Sequence, residues 1–109
     1  MYTGGYKNLT VWKKAIAFAG TVYEYTKPFP TSELYGLTSQ MRRCAVSVAS
    51  NIAEGCARQS NKEFIQFIAI ANGSLAELLT QAIIARILAY YPKALTITCR
   101  MPVMKLEKC

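Results

Sequence analysis

Residues Arg42 to Phe64 read "RRCAVSVASNIAEGCARQSNKEF", and the periodicity of this stretch decides the fold. On a wheel of about 100° per residue, Arg43, Ser47, Asn51, Glu54 and Arg58 fall in one narrow polar stripe. Gly36 and Gln40 extend it upstream. Much of the remaining circumference is apolar or small: Leu37, Met41, Cys44, Ala45, Val46, Val48, Ala49, Ile52 and Ala53. A helix apolar over so wide an arc cannot be satisfied by one neighbour, so it must lie among at least two other helices. Gly55 is expected to fray its end. Ser60 and Glu63 form an S-x-x-E capping box that starts the next helix.

Outward from this segment, the chain reads as helix on both sides. Leu9, Trp12, Ile16, Ala19 and Tyr23 recur at 3-4-3-4 spacing, with Lys13 and Lys14 off the stripe. Pro28 and Pro30 in "KPFP" end that helix, because proline lacks the amide hydrogen and biases its predecessor away from helical angles. Thr31 or Ser32 is the expected cap of the second helix, with Glu33 in its first turn. Beyond Ser60, the residues Phe64, Phe67, Ile68, Ala71, Leu75, Leu78, Leu79, Ala82 and Ala85 share one side of a third helix. Short connections between long helices make antiparallel neighbours. The sequence therefore predicts one all-α domain over 1–109, an antiparallel up-down helical bundle. Its helices should span about 9–27, 32–57 and 61–89. The segment 92–109 contains Thr96, Ile97, Thr98 and Pro102, which oppose a long fourth helix and favour a short or irregular one.

Composition narrows the chemistry. There are 13 lysines and arginines against 6 acids, all of them glutamate, for a net charge of +7. Such an excess attracts polyanions. With no histidine and no aspartate, the usual bases, triads and carboxylate-rich metal sites lack their parts. Glu54 stands alone in its stripe, with no second carboxylate to form an acid-base pair. No glycine-rich phosphate loop is present, and no catalytic residue, metal or cofactor is expected. The four cysteines Cys44, Cys56, Cys99 and Cys109 show no metal-binding spacing. They read as reduced thiols of a cytoplasmic protein. The uncharged run Phe64 to Ala76 reads as too short to span a bilayer, so no membrane partner is expected.

The polar stripe admits two roles. Arg43 and Arg58 could hold phosphate oxygens while Ser47 and Asn51 donate hydrogen bonds. Alternatively, Glu54 and Arg58 form an i,i+4 pair worth only about 0.3–0.5 kcal/mol, and the neutral groups bond across helices. The carboxylate in the stripe favours the second role, because it would repel phosphate.

The ordered motifs "LTVWKKA", "YEYTKPFP", "ELYGLTSQMRRCAVS", "NIAEGCAR" and "FIAIANGSLAEL" resemble the four-helix bundle proteins encoded in intervening sequences of bacterial 23S rRNA genes. The likeness covers about residues 8 to 90. Trp12, Lys14 and Ala15 match its first motif, Glu33, Tyr35, Gly36, Leu37 and Gln40 its second. Arg42, Arg43, Ser47, Asn51, Glu54, Gly55 and Arg58 match its third. The resemblance implies a homo-oligomer, typically a pentamer, and suggests RNA, with rRNA foremost, as partner. A related protein of diversity-generating retroelements binds a reverse transcriptase, which implies a protein partner as the rival role. Cys44 stands where the family has alanine, and 92–109 replaces its long fourth helix. Leaving several hundred Å2 of helix face uncovered would cost on the order of 10 kcal/mol. That face must be covered by the C-terminal segment or by neighbouring chains.

The combined expectation is a noncatalytic RNA-binding bundle with no small-molecule substrate. Lys13, Lys14, Arg42, Arg43, Arg58 and Lys62 are its candidate phosphate contacts, with the basic residues of 92–109. Tyr2, Tyr6, Tyr25 and Tyr35 are candidates to stack on bases, although packing suits most of them. A folded product of a parasitic element, without selectable function, is the remaining alternative.

Overall fold

Proline punctuation works as the sequence predicts: the first helix stops at Thr26, just before "KPFP". The computed structural model describes residues 5–90. They form three helices, α1 (Thr10–Thr26), α2 (Leu37–Cys56) and α3 (Asn61–Ile87). Single 3-10 turns, Gly5–Asn8 and Thr31–Glu33, precede α1 and α2. No strand occurs among the described residues, and the protein is an all-α helical bundle. The expected irregular segment 92–109 lies outside the described residues.

Helix α2 lies between the other two, and the backbones of α1 and α3 do not approach each other closely. One core cluster joins Ala15 of α1 to Val48, Ala49, Ile52 and Cys56 of α2 and to Phe64, Ile68, Ala71 and Leu75 of α3. The other joins Val22 and Tyr25 to Met41, Cys44 and Ala45, and to Leu78, Ala82 and Ala85. The first half of α1 thus meets the second half of α2, which makes the neighbours antiparallel. Met41, Val48 and Ile52 are fully buried, as the two-partner reading of α2 requires.

Helix α1 departs from expectation. Its buried residues are Ala15, Val22, Tyr25 and Thr26, whereas Ile16 and Tyr23 of the predicted stripe are 48% and 43% exposed. The chain carries a second 4-3-4-3 register, Val11, Ala15, Phe18, Val22 and Tyr25. Leu9, Trp12 and Ala19 of the predicted stripe pack half-buried against the core, but the smaller Ala15 and Val22 of the second register let α2 approach closely and are fully buried. In α3 every buried apolar residue belongs to the predicted side, and Ser60 caps the helix by accepting from Glu63 N at 3.1 Å.

The start of α2 also differs. It begins at Leu37, five residues beyond the expected 32, because Gly36 (φ −112°, ψ −115°) is not helical. Gly36 has no side chain to cap the helix, and Glu33 supplies one: its Oε1 accepts from Leu37 N at 3.0 Å. A Cβ on Gly36 would stand 2.6 Å from that oxygen, so a larger residue would displace the capping carboxylate. Glu33 Oε2 accepts from the Tyr90 hydroxyl at 2.8 Å, and the Tyr90 ring packs on Phe29 at 5.5 Å. Tyr90 reaches this position through a tight reversal after α3. Ala89 adopts φ 58°, while Ala89 N bonds Arg86 O and Tyr90 N bonds Ala85 O, both at 3.0 Å. This is the Schellman closure with alanine in the place glycine normally takes, a left-handed residue that costs roughly 1–2 kcal/mol.

Helix α2 ends at Cys56, beside Gly55, as expected. Gly55 is nonetheless buried in the last turn, where a Cβ would meet Phe67 Cβ at 2.9 Å and Phe64 Cδ1 at 3.4 Å. The glycine marks the close approach of α2 and α3. Cys44 is a free, buried thiol as expected, but Cys56 is disulfide-bonded, so the expectation of four reduced thiols fails there. Helix α3 is long and apolar enough to cross a membrane by length and composition, contrary to the estimate from its uncharged run, and 33% of its most apolar stretch is buried. The surplus lies outside: Ile65, Ile70, Ile83 and Ile87 are each 46% exposed or more.

Two outcomes follow from these contacts. Gly55→Ala should lower stability by about 1–3 kcal/mol through overpacking against Phe67, more than the roughly 1 kcal/mol that alanine gains in helix propensity. A urea midpoint at or above wild type would refute the close contact. Glu33 has its pKa lowered, first by the Leu37 amide and then by the Tyr90 hydroxyl. Its contribution is therefore present above the ordinary carboxylate range and lost as pH falls through the lowered value. Tyr90→Phe should be less stable than wild type at neutral pH, and acid titration of both should narrow the gap.

Candidate nucleic-acid interface

The antiparallel order sets which charges share an end. The Gly5–Asn8 turn, the start of α1, the end of α2 and the start of α3 come together there. This end carries exposed Lys7, Lys13, Lys14, Arg58 and Lys62 against Glu54 and Glu63. The rest of the described chain carries Lys27, Arg42, Arg43 and Arg86 against Glu24, Glu33 and Glu77. Five cations oppose two acids at one end, a net +3, and four oppose three elsewhere, a net +1. Both acids of the basic end have local duties. Glu54 Oε2 lies 3.4 Å from Arg58 Nη2, and Glu63 stands in the Ser60 cap, 3.3 Å from Ser60 Oγ. The starts of α1 and α3 add the positive ends of their dipoles.

The six predicted contacts separate. Lys13, Lys14, Arg58 and Lys62 belong to the basic end, although Arg58 also lies over the Phe67 ring at 4.9 Å. Arg43 is exposed but stands in the second turn of α2, toward the opposite end. Arg42 has a different task. Its Nε donates to Thr26 Oγ1 at 2.8 Å, its Nη2 to Tyr23 O at 3.5 Å, and its guanidinium covers the Tyr23 ring at 4.8 Å. Buried Thr26 passes the bond on by donating to Val22 O at 2.9 Å. Arg42 therefore closes the last turn of α1, where a cation also meets the negative end of the helix dipole.

The polar stripe of α2 turns toward α3. Ser47 Oγ and Ser74 Oγ lie 2.9 Å apart, and Asn51 Nδ2 donates to Ser47 O and Oγ at 2.8 and 2.9 Å. Gln81 Nε2 donates to Gln40 Oε1 at 3.3 Å. The Ser47–Ser74 and Gln40–Gln81 pairs join the two helices across one seam, Asn51 bonds back to Ser47 within α2, and Glu54 and Arg58 stand exposed beyond it. Burial, and then the charge of Glu77, push the Cys44 thiol above its usual pKa. It stays protonated and is a poor nucleophile. Among the described residues no group of three His, Cys, Asp or Glu could hold a metal ion.

Sequence reasoning missed Lys7, whose position beside Lys13 and Lys14 shows only once the first turn is seen to fold against α1. It also missed the contact of Glu33 with Tyr90, which are 57 residues apart. Of the aromatic candidates, Tyr25 is buried and Tyr6 is half-buried against Trp12, with ring centroids 5.3 Å apart. Tyr35 is 93% exposed at the far end, and Tyr2 lies outside the described residues.

Fold and site together define a class: a small basic helical bundle with a polar interhelical seam and its charge excess gathered at one end. The chain belongs to the 23S rRNA-intervening sequence protein family, whose model matches residues 7–107. The match runs past Tyr90, so the unusual C-terminal segment falls within the family's span. No curated protein matches the chain.

The two neighbouring arginines should behave differently on truncation. Arg42→Ala should cost about 1–2 kcal/mol in urea unfolding, by loss of a charge-assisted bond and the α1 closure. Arg43→Ala should stay within about 0.5 kcal/mol of wild type. Equal effects would show that the Thr26 contact adds nothing to stability.

Proposed function

We propose that this protein is a noncatalytic RNA-binding bundle that acts as an oligomer in the cytoplasm, with rRNA the foremost candidate ligand. The observation that carries this reading is the concentration of Lys7, Lys13, Lys14, Arg58 and Lys62 at one end, opposed by two glutamates that already have partners. Lysines of this kind meet phosphate oxygens as point charges and release counterions from the nucleic acid. Membership of a family encoded within rRNA genes agrees with such a ligand but does not specify it. Arg42 is left out of the proposed contacts, because its guanidinium is held against the end of α1 by Thr26 and Tyr23, away from the basic end.

Oligomer formation has its own support. Exposed isoleucines on α3, together with Ile16 and Tyr23 on α1, leave apolar surface that copies of the chain could bury. The same surface supports the rival reading, an adaptor that meets a protein partner. A family-typical pentamer is one way to use it.

RNA binding at two salt concentrations, with light scattering of the same sample, tests both parts. With about four or five phosphate contacts, affinity should fall roughly a hundredfold or more between about 50 and about 200 mM salt. Lys13→Glu with Lys14→Glu should weaken binding and flatten that dependence, while leaving helicity unchanged. Affinity indifferent to salt would reject the phosphate mechanism, and a monomer by scattering would reject the oligomer.

A further inference from the structure

The chemistry of the basic end also says what form of RNA it suits. Proteins that hold single strands pair their cations with exposed aromatic faces on which bases stack. Proteins that hold duplex RNA read backbone shape through phosphates and 2′-hydroxyls, because stacked bases offer no face to an aromatic ring. Which aromatic faces are free beside the lysines is therefore the deciding observation.

Among the described residues, those faces are taken. Tyr6 and Trp12 stand edge to face, 5.3 Å apart with 71° between their planes, and both pack on the first core cluster. Phe64 is buried at 7% exposure. Phe67 is covered by the Arg58 guanidinium at 4.9 Å. The fully presented ring, Tyr35, is 93% exposed but sits at the opposite end, beyond the connection from α1 to α2. What surrounds the lysines instead is neutral and short: Asn8, Thr10 and Asn61 are all exposed. Such side chains can donate to and accept from ribose hydroxyls while the lysines meet phosphate.

We infer that the basic end takes double-helical RNA, through its phosphates and 2′-hydroxyls, in preference to single strands. This rests on the RNA-binding reading above and names the ligand class for it. A rigid duplex presents two phosphate rows at fixed spacing to cations whose backbone positions the bundle fixes. A flexible strand must be ordered first, and among the described residues no ring stands free at this end to offset that loss.

The test uses the full chain and three probes with similar numbers of phosphates: a blunt RNA duplex of about 16 base pairs, its DNA counterpart, and a mixed-sequence single-stranded RNA without self-complementarity. Fluorescence anisotropy at low salt should show the RNA duplex bound at least about tenfold more tightly than the single strand, and more tightly than the DNA duplex. Lys13→Glu with Lys14→Glu should weaken the duplex complex, and Tyr35→Ala should leave it unchanged. Circular dichroism would establish that both variants keep their helices. Equal or tighter binding of the single strand would overturn the inference while leaving RNA binding intact. Stronger binding of the DNA duplex would overturn the hydroxyl contacts. Failure of every probe to bind at low salt would overturn the inference and the functional reading together.

Discussion

Close contact between α2 and its two neighbours is the constraint on which the rest depends. A single helix carries the centres of both core clusters, so any loosening of its position opens both at once. The approach to α3 is set by Gly55, where the backbone of α2 comes within side-chain reach of Phe67 and Phe64. Apolar burial supplies the attraction there, but it has little preference for one sliding position over another. Register comes from the neutral polar seam. Ser47 against Ser74 and Gln40 against Gln81 match at only one alignment of the two helices, so these half-buried pairs specify the fold more than they strengthen it. The interface of α2 with α1 is aligned by other means, since Arg42 must reach Thr26. These devices together hold the antiparallel order that gathers five cations at one end.

The fold was largely legible because α2 and α3 state their buried sides without ambiguity. Met41, Cys44, Val48 and Ile52 recur at helical spacing and are all buried, and the Ser60 cap is a local signal that needs no tertiary help. Helix α1 was misread because its sequence supports two apolar registers. A periodicity argument prefers large side chains, whereas close packing preferred the register with alanine and valine. The start of α2 was misplaced for a related reason. Thr31 and Ser32 are good local caps, but the helix takes its cap from Glu33, a residue also held by Tyr90 from the far end of the chain. Gly55 was rightly read as marking the end of α2, but its packing role was not legible, since a residue that weakens an isolated helix is the one a tight crossing demands.

The candidate site was legible in part. Lys13, Lys14, Arg58 and Lys62 emerge from the sequence as charges, and the bundle's up-down topology is what brings them to one end. Arg42 could not be separated from Arg43 by sequence, since the two are identical neighbours in a basic dipeptide. They differ by about 100° around the helix, which turns one toward α1 and leaves the other in solvent. Of the polar stripe, which the sequence left open to two roles, Ser47 and the upstream Gln40 meet partners on α3, while Arg43 stands in solvent.

The bundle has unlike extremities. One carries mobile ammonium groups in water, and the other is tied by a carboxylate, a phenol and a left-handed alanine. Ionic strength therefore bears on the first, and protonation of Glu33 on the second. Added salt screens exposed charge without disturbing the tether, whereas acid slackens the tether by removing the charge that holds Leu37 and Tyr90.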